Sequence, residues 1–511
     1  MELERKEDIE LNQRVSEIVE EKEVEVREKR SMTTGGLSTK FTIVSVSLLL
    51  VVVLGLTTLL FVVAFRVDIA SEKVSSRANM LSISIQWDKI SLSDGSSLSI
   101  LSVKGEGACW KEMSGIYGIR VDKNVSKEVK IVVKNLLETE VTLHAHGQVT
   151  PPGSDGVAFI SSPPIPPGRS SQLGWLAEEA PKLNGMGTYH MHSHFAFQKD
   201  QSLSFPLIYD HELPTNYPLA SAVNSAKEVV MFITELCPTL ENHPQLDCMH
   251  EPIFRFRENA VLNNTGESIR ASYKYLMVNQ RQAENAYRAS FDQQVSSSKI
   301  FYVRLRVVNS SPQSNMRLAF GGVNATVIAT DGQLVFPYSS EHFWMTVGQR
   351  LDVLLAFNSS GSFPITASMA DRNSRARSAG LWVDLNASPA TSSFPAVTLL
   401  GKMGANTEME LKAFYSISEK SPDKHFLLTF TSSNGFNSMN GSSYQLYPHH
   451  SLPLPPNPHP ILVNYGDRVH ITFETVDGSE HPVNGNSDCL NFFIGFYASK
   501  NRFIFMDIIS R

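Results

Sequence analysis

TLHAHG (142–147) and GTYHMHSH (187–194) are the two stretches on which the reading of this chain turns. In each, histidine alternates with another residue, the period of a β-strand. Thr142, His144 and His146 therefore share one strand face, with Val141, Leu143 and Ala145 on the other. His190, His192 and His194 likewise share a face, opposite Met191 and Ser193. Alternate side chains on a strand stand about 6.6 Å apart. Two imidazoles at that spacing can serve one metal ion or two neighbouring ions. The chain has 15 histidines in 511 residues, so one His-x-His pair by chance would be unremarkable. Three pairs packed into two short segments point to metal binding, and imidazole suits copper, zinc, iron and nickel.

The surroundings of both stretches have the texture of β-structure. Leu81, Ile83, Ile85 and Trp87 alternate with polar residues. Ile90 and Leu92 then lead to Asp94-Gly95, followed by Leu98 and Ile100, which is a hairpin signal. Alternation returns at Val129, Ile131 and Val133, at Val141 and Leu143, in FYVRLRVVN (301–309), in LDVLLAF (351–357), and at Val469, Ile471 and Phe473. Helical periodicity is scarce. Many short strands punctuated by Gly, Pro, Asn and Asp predict an all-β protein of sandwiches or Greek-key barrels. At 511 residues, about three domains are expected. Proline-rich stretches lie at 151–168 and 453–460, and the domain breaks are expected near 212–225 and 386–396.

The net charge of −6 and the ordinary 19% of charged residues give no basic face for a nucleic acid, so no such partner is expected. The four cysteines, Cys109, Cys237, Cys248 and Cys489, show no CxxC spacing, which removes a zinc ribbon or a thioredoxin motif. Cys237 and Cys248 are a candidate disulfide pair.

Residues 41–65 carry no charge and are bounded by Lys40 and Arg66. That length crosses a bilayer as one helix. The expected arrangement is a cytoplasmic charged tail (1–40), a single transmembrane helix (41–65), a stalk (66–80), and an extracellular or luminal bulk. Asn-x-Ser/Thr triplets at Asn124, Asn263, Asn309, Asn324, Asn358, Asn386 and Asn440 all follow the apolar run, which fits a membrane-anchored glycoprotein.

The histidine stretches resemble the first two copper motifs of multicopper oxidases, the laccase and ferroxidase family. DGVAFISSPPIPPG (155–168) and FPLIYD (205–210) are similar to segments of that family's first domain. YVRLRVVNSS (302–311), TVIATDGQLVFP (326–337) and VGQRLDVLLAF (347–357) resemble its second domain. SMNGSSY (438–444) and YGDRVHITFE (465–474) resemble the opening of its third. The resemblance implies tandem cupredoxin-like Greek-key β-barrels. Two are complete, at 81–212 and 226–390, and a third is partial, at 396–482.

It also implies a copper cofactor. His144 would hold a single copper, and His146, His192 and His194 a copper pair. His481 would be the opening ligand of the third domain. His190 replaces the aromatic residue usual at its position and is expected to be structural or to lie behind the ligands. Family members oxidise a phenolic or other small reductant, or ferrous iron, and reduce dioxygen to water.

The resemblance stops after Pro482. No histidine follows His481, and the His-Cys-His segment of the electron-entry site is missing, with no histidine beside Cys489. The tail 483–511 is expected to be aberrant, without third-domain pattern, and the chain to be impaired as an oxidase. The alternative is a non-enzymatic, membrane-anchored cupredoxin-like protein that binds copper or a protein partner.

Overall fold

The structure is a computed structural model. It describes residues 80–387 except 123–127, 149, 159–160, 177–186, 211, 237–238, 241–270, 273, 313 and 371–375. Beyond 387 it describes 411–414, 423–433, 436–439, 442–443, 468–475, 483–486, 491–494 and 504–509. All of these fall in the second of two compact units, Ser75–Arg511. The apolar run 41–65, the candidate cysteines 237, 248 and 489, and His481 lie outside the described residues. Among the described residues no helix is long and apolar enough to cross a membrane.

The first sandwich runs through β1 (Met80–Ser91), β2 (Ser97–Glu106), β3 (Trp110–Met113), β4 (Ile116–Asp122), β5 (Glu128–Asn135), β6 (His144–His146), the short helix α1 (Pro152–Asp155), β7 (Ser170–Leu176), β8 (Thr188–His192) and β9 (Ser204–Asp210). One sheet has the order β2-β1-β5-β7 and the other β3-β4-β9-β8-β6. The Asp94-Gly95 hairpin forms as expected, with β1 antiparallel to β2 and Gly95 at φ 84°. The alternation of Val129, Ile131 and Val133 is also as expected, since all three are buried between the sheets. Trp87 departs from its predicted face: at 44% exposure it marks where β1 runs past the edge of the core.

The helix α2 (Ala220–Ser225) occupies the expected break at 212–225. It is a packed element: Leu213, Tyr217, Ala220 and Val223 bury themselves against Ile328, Leu334 and Leu354. The second sandwich then follows. Its strands are β10 (Lys227–Leu236), β11 (Thr239–Leu240), β12 (Ala271–Ser272), β13 (Tyr275–Val278), β14 (Tyr287–Phe291), β15 (Phe301–Asn309), β16 (Met316–Ala319), β17 (Asn324–Thr330), β18 (Gln333–Ser340), β19 (His342–Met345), β20 (Arg350–Phe357), β21 (Gly361–Ala370) and β22 (Ala376–Leu385). A six-stranded sheet β13-β10-β15-β20-β17-β18 faces a five-stranded sheet β14-β22-β21-β16-β19.

Strands β10 and β15 are buried on both faces, and this joins the two sandwiches. Val229, Met231, Ile233, Val303, Leu305 and Val307 point into the second core. On the reverse face, Val230 packs on Met113 and Ile208 of the first sandwich, and Phe232 and Val308 pack on Ile116. Each fully buried side chain of this size contributes about 1.5–3 kcal/mol.

Farther along, β23 (Lys424–Ser433), β24 (Phe436–Met439), β25 (Ser442–Ser443), β26 (Arg468–Thr475), β27 (Val483–Asn486), β28 (Asn491–Ile494) and β29 (Ile504–Ile509) are described. They form a sheet β25-β24-β23-β26-β29 and a β27–β28 hairpin. Within the segment 483–511, β29 pairs antiparallel with β26 over Arg468–Phe473. The segment FIFMDIIS is rich in the β-formers that such pairing favours.

One of the expected sequons is buried. Asn309 is fully buried, and its Nδ2 donates to the carbonyls of Ser314 (3.0 Å) and Thr346 (2.9 Å). An amide nitrogen committed in this way cannot carry a sugar in the folded protein. Asn324, Asn358 and Asn386 are exposed. Asn124, Asn263 and Asn440 lie outside the described residues.

Candidate metal centre

The antiparallel ladder of β6 and β8 sets His144 opposite His192, Ala145 opposite Met191, and His146 opposite His190. Cross-strand partners share a face. Four imidazoles therefore converge on one side, while Ala145, Met191 and Tyr189 fill the core of the first sandwich. His194 lies two residues past the end of β8, outside the strand on which the sequence places it. Its backbone N–H donates to Thr142 Oγ1 at 3.0 Å, which returns its ring to the cluster. Ring centres are 5.0 Å apart for His144–His194 and 4.9 Å for His192–His194.

Side-chain nitrogens of His144, His146 and His192 all lie within 4.8 Å of one another. Backbone carbonyls fix which nitrogen faces inward. A carbonyl can only accept, so His144 Nδ1 donates to the Asp155 oxygen at 2.7 Å, and His192 Nδ1 donates to the Ser193 oxygen at 3.0 Å. Both rings are thereby left with a lone pair on Nε2. His192 Nε2 sits 3.0 Å from His146 Nδ1. Such outer contacts orient ligating histidines in metal sites.

The Asp155 carbonyl is positioned by Gly156. At φ 78° a Cβ on Gly156 would stand 1.9 Å from the Leu143 oxygen, so only glycine lets this turn lie beneath His144. The Asp155 carboxylate accepts from Ser161 Oγ at 2.9 Å and lies 3.4 Å from His144 Nδ1.

Burial holds His146, His190 and His192 well below the ordinary imidazole pKa, and the charges of neighbouring groups push the same way. The same direction holds for His194. Neutral imidazole is the metal-ligating form. Lys199 faces the cluster from the loop after β8. Burial lowers its ammonium to about 8, partly offset by Asp200.

Nitrogens on one ion at about 2.0–2.1 Å are separated by about 2.9–4.2 Å. The 3.0 Å contact of His146 and His192 falls in that range, and the remaining separations close with small ring rotations. The donor set of His144, His146 and His192 is all imidazole and buried, and so it fits a copper ion.

The second sandwich grips β8 from behind. Thr188 Oγ1 donates to Asp352 at 2.5 Å and accepts from Arg306 at 3.0 Å. Arg350 donates to the Thr188 carbonyl at 3.3 Å, pairs with Asp331 at 2.9 Å, and lies over the Tyr189 ring at 5.5 Å. Asp352 also holds Arg304, and Glu228 joins Arg306 to Arg120. Sequence reasoning missed this network. The alternating charges of Arg304 and Arg306 in β15, and Asp352 in β20, look like a solvated face when the chain is read alone.

Two multicopper oxidase family models match the chain, one over residues 108–212 and one over 259–383. The first spans the whole histidine cluster. Curated relatives agree. The chain is similar to oxidoreductase OpS5 of Beauveria bassiana, 29% identical over 48% of this chain and 38% of the relative. It is similar to copper resistance protein A of Pseudomonas syringae pv. tomato, 24% identical over 49% and 42%. It is also similar to the multicopper oxidase MmcO of Mycobacterium tuberculosis, 25% identical over 51% and 50%. The matched part thus spans half or less of the length of these relatives.

Among solved structures, Fet3p, described as a multicopper oxidase that functions in iron import, matches with TM-score 0.59 and 16% identity over 83% of this chain and 82% of that one. A laccase from Botrytis aclada matches with TM-score 0.55 and 18% identity over 79% and 73%. These two likenesses speak to the fold. The chain belongs to the multicopper oxidase family, whose cofactor is copper.

Proposed function

We propose that this chain is a copper-binding oxidoreductase in which His144, His146, His192 and His194 hold copper on one face of the first sandwich. One observation carries the reading: three imidazoles lie within 4.8 Å, with two of them oriented by the carbonyls of Asp155 and Ser193. When bound, copper supplies one-electron redox chemistry and a seat for dioxygen. The protein's own part is to keep His146 and His192 neutral, fix the tautomers of His144 and His192 and exclude bulk water from the inner face.

The reaction of the family-length protein is oxidation of a phenol, another small reductant or ferrous iron, with dioxygen reduced to water. His481 is the ligand proposed from the third domain. The His-Cys-His electron-entry segment is missing from this sequence, so we propose that the chain as given binds copper and needs further ligands for turnover. The uncharged run 41–65 and the exposed sequons support a single-pass anchor with the bulk outside the cytosol.

The test is copper content, visible absorption and oxygen uptake of the full chain purified in detergent, with a phenol or ferrous iron as reductant. The expected result is bound copper, no blue band and little oxygen uptake. Blue colour with rapid uptake would overturn the need for further ligands. Failure to bind copper would overturn the metal reading.

A further inference from the structure

His190 is the one imidazole of the ladder that the family resemblance does not make a ligand. It is fully buried, and neither Nδ1 nor Nε2 has a hydrogen-bond partner. Its ring lies 4.3 Å from that of His146 at 26°, and 5.1 Å from that of His192 at 24°. Phe232 of β10 closes the far side edge-on at 6.3 Å. A packing role alone would favour an apolar ring. An imidazole in this place gives up its hydration at both nitrogens, and no protein contact replaces it. Buried polar groups in native proteins are nearly always satisfied, and an ion or a water accounts for most exceptions.

Two imidazoles on one ion, bound at about 2.0–2.1 Å, have ring centres about 4.5–6.4 Å apart. The His190–His192 separation of 5.1 Å is inside this range, and the His146–His190 separation of 4.3 Å is just short of it. His190 stands outside the group of His144, His146 and His192, whose nitrogens lie within 4.8 Å of one another, so the near-parallel rings must turn about χ2 to aim their nitrogens at a shared point, and that torsion is soft for histidine.

We propose that His190 is itself a copper ligand, added to His146 and His192 on the ion that those two hold at the β6–β8 ladder. The proposal rests on the reading that this face binds copper.

The experiment loads the full chain with copper and compares it with His190→Phe and His190→Gln. Affinity is read by competition with a chromophoric chelator. The number of coordinated nitrogens is read from the hyperfine couplings of bound Cu(II) in electron paramagnetic resonance. Both variants are expected to bind copper at least tenfold more weakly and to lose one nitrogen coupling. His190→Phe is also expected to melt no lower than the parent without metal, because it removes two unsatisfied nitrogens; a purely structural histidine would give the opposite shift. If His190→Phe does not fold, His190→Gln keeps a polar side chain and decides the point. Unchanged affinity and nitrogen count in a folded variant overturn the role of His190 alone. A parent chain that binds no copper overturns the metal reading and this proposal together.

Discussion

Thr188 and Asp352 are hydrogen-bonded at 2.5 Å across the contact between the two sandwiches, 164 residues apart in the chain. Thr188 opens β8, the strand that carries His190 and His192. Asp352 simultaneously holds Arg304 at 2.8 Å. The orientation of the strand that carries His190 and His192 is thus tied to charges that belong to the second sandwich.

Asp352→Ala strips Arg304 of its buried partner and should cost about 3–5 kcal/mol in urea unfolding, the range for breaking a buried pair from one side. Thr188→Val removes one hydroxyl and should cost about 1–3 kcal/mol. Both should also weaken copper binding, measured by chelator competition, since β8 loses its anchor.

Gly156→Ala puts a Cβ into the Leu143 carbonyl at φ 78° and should abolish folding of the first sandwich or cost upwards of about 3 kcal/mol. Gly153→Ala, three residues earlier, has open space around its Cβ and should be neutral within about 0.5 kcal/mol. Thermal melts of the two variants side by side check this.

Acid should loosen the contact between the sandwiches through Glu228. Burial would raise its carboxyl, but Arg306, then Arg120 and Arg304, outweigh that and hold it down to about 2. A carboxyl depressed in the folded state stabilises fully above its unfolded pKa, near 4.5, and loses that contribution as pH falls toward 2. The stake is on the order of 3 kcal/mol. Glu228→Gln should therefore be less stable than the parent at pH 6, with the difference shrinking toward pH 2. Denaturant midpoints across that window are the measurement.

Lys199→Met should tighten copper binding at pH 7 by about threefold to tenfold, because it removes a positive charge facing the histidines. The gain should shrink above about pH 8, where the parent's ammonium also becomes neutral. Affinities at pH 7 and pH 9 decide the point; an equal gain at both would mean that the lysine acts by packing.

Peptide mapping of the protein made in a glycosylating host should find Asn309 without a glycan and Asn324 or Asn358 occupied. Asn309→Asp should lower stability by about 1–3 kcal/mol, since its two donated hydrogen bonds tie the loop after β15 to the loop before β20.

Much of this was legible in the chain before folding. The alternation of Leu81, Ile83 and Ile85, and of Val129, Ile131 and Val133, marks one-sided strands because side-chain direction has a period of two, and that period is local. Asp94-Gly95 fixes its hairpin for an equally local reason, a positive φ that glycine accepts freely. His144, His146, His192 and His194 point to metal chemistry from the sequence because few other roles need imidazoles at that spacing.

What the tertiary structure decided are the relations between distant segments. The β6–β8 register brings His190 against His146, and no spacing within either strand shows that. Arg304, Arg306 and Asp352 look like solvated charges in sequence. They are buried because the outer face of β10, β15 and β20 is covered by the first sandwich. Asn309 satisfies the sequon rule in full, yet its amide is consumed by carbonyls of Ser314 and Thr346 that only the folded second sandwich brings near. Periodicity and chemistry reside in neighbouring residues, so the sequence alone carries them; burial and partnership arise from which faces meet, and that is settled only when the chain packs on itself.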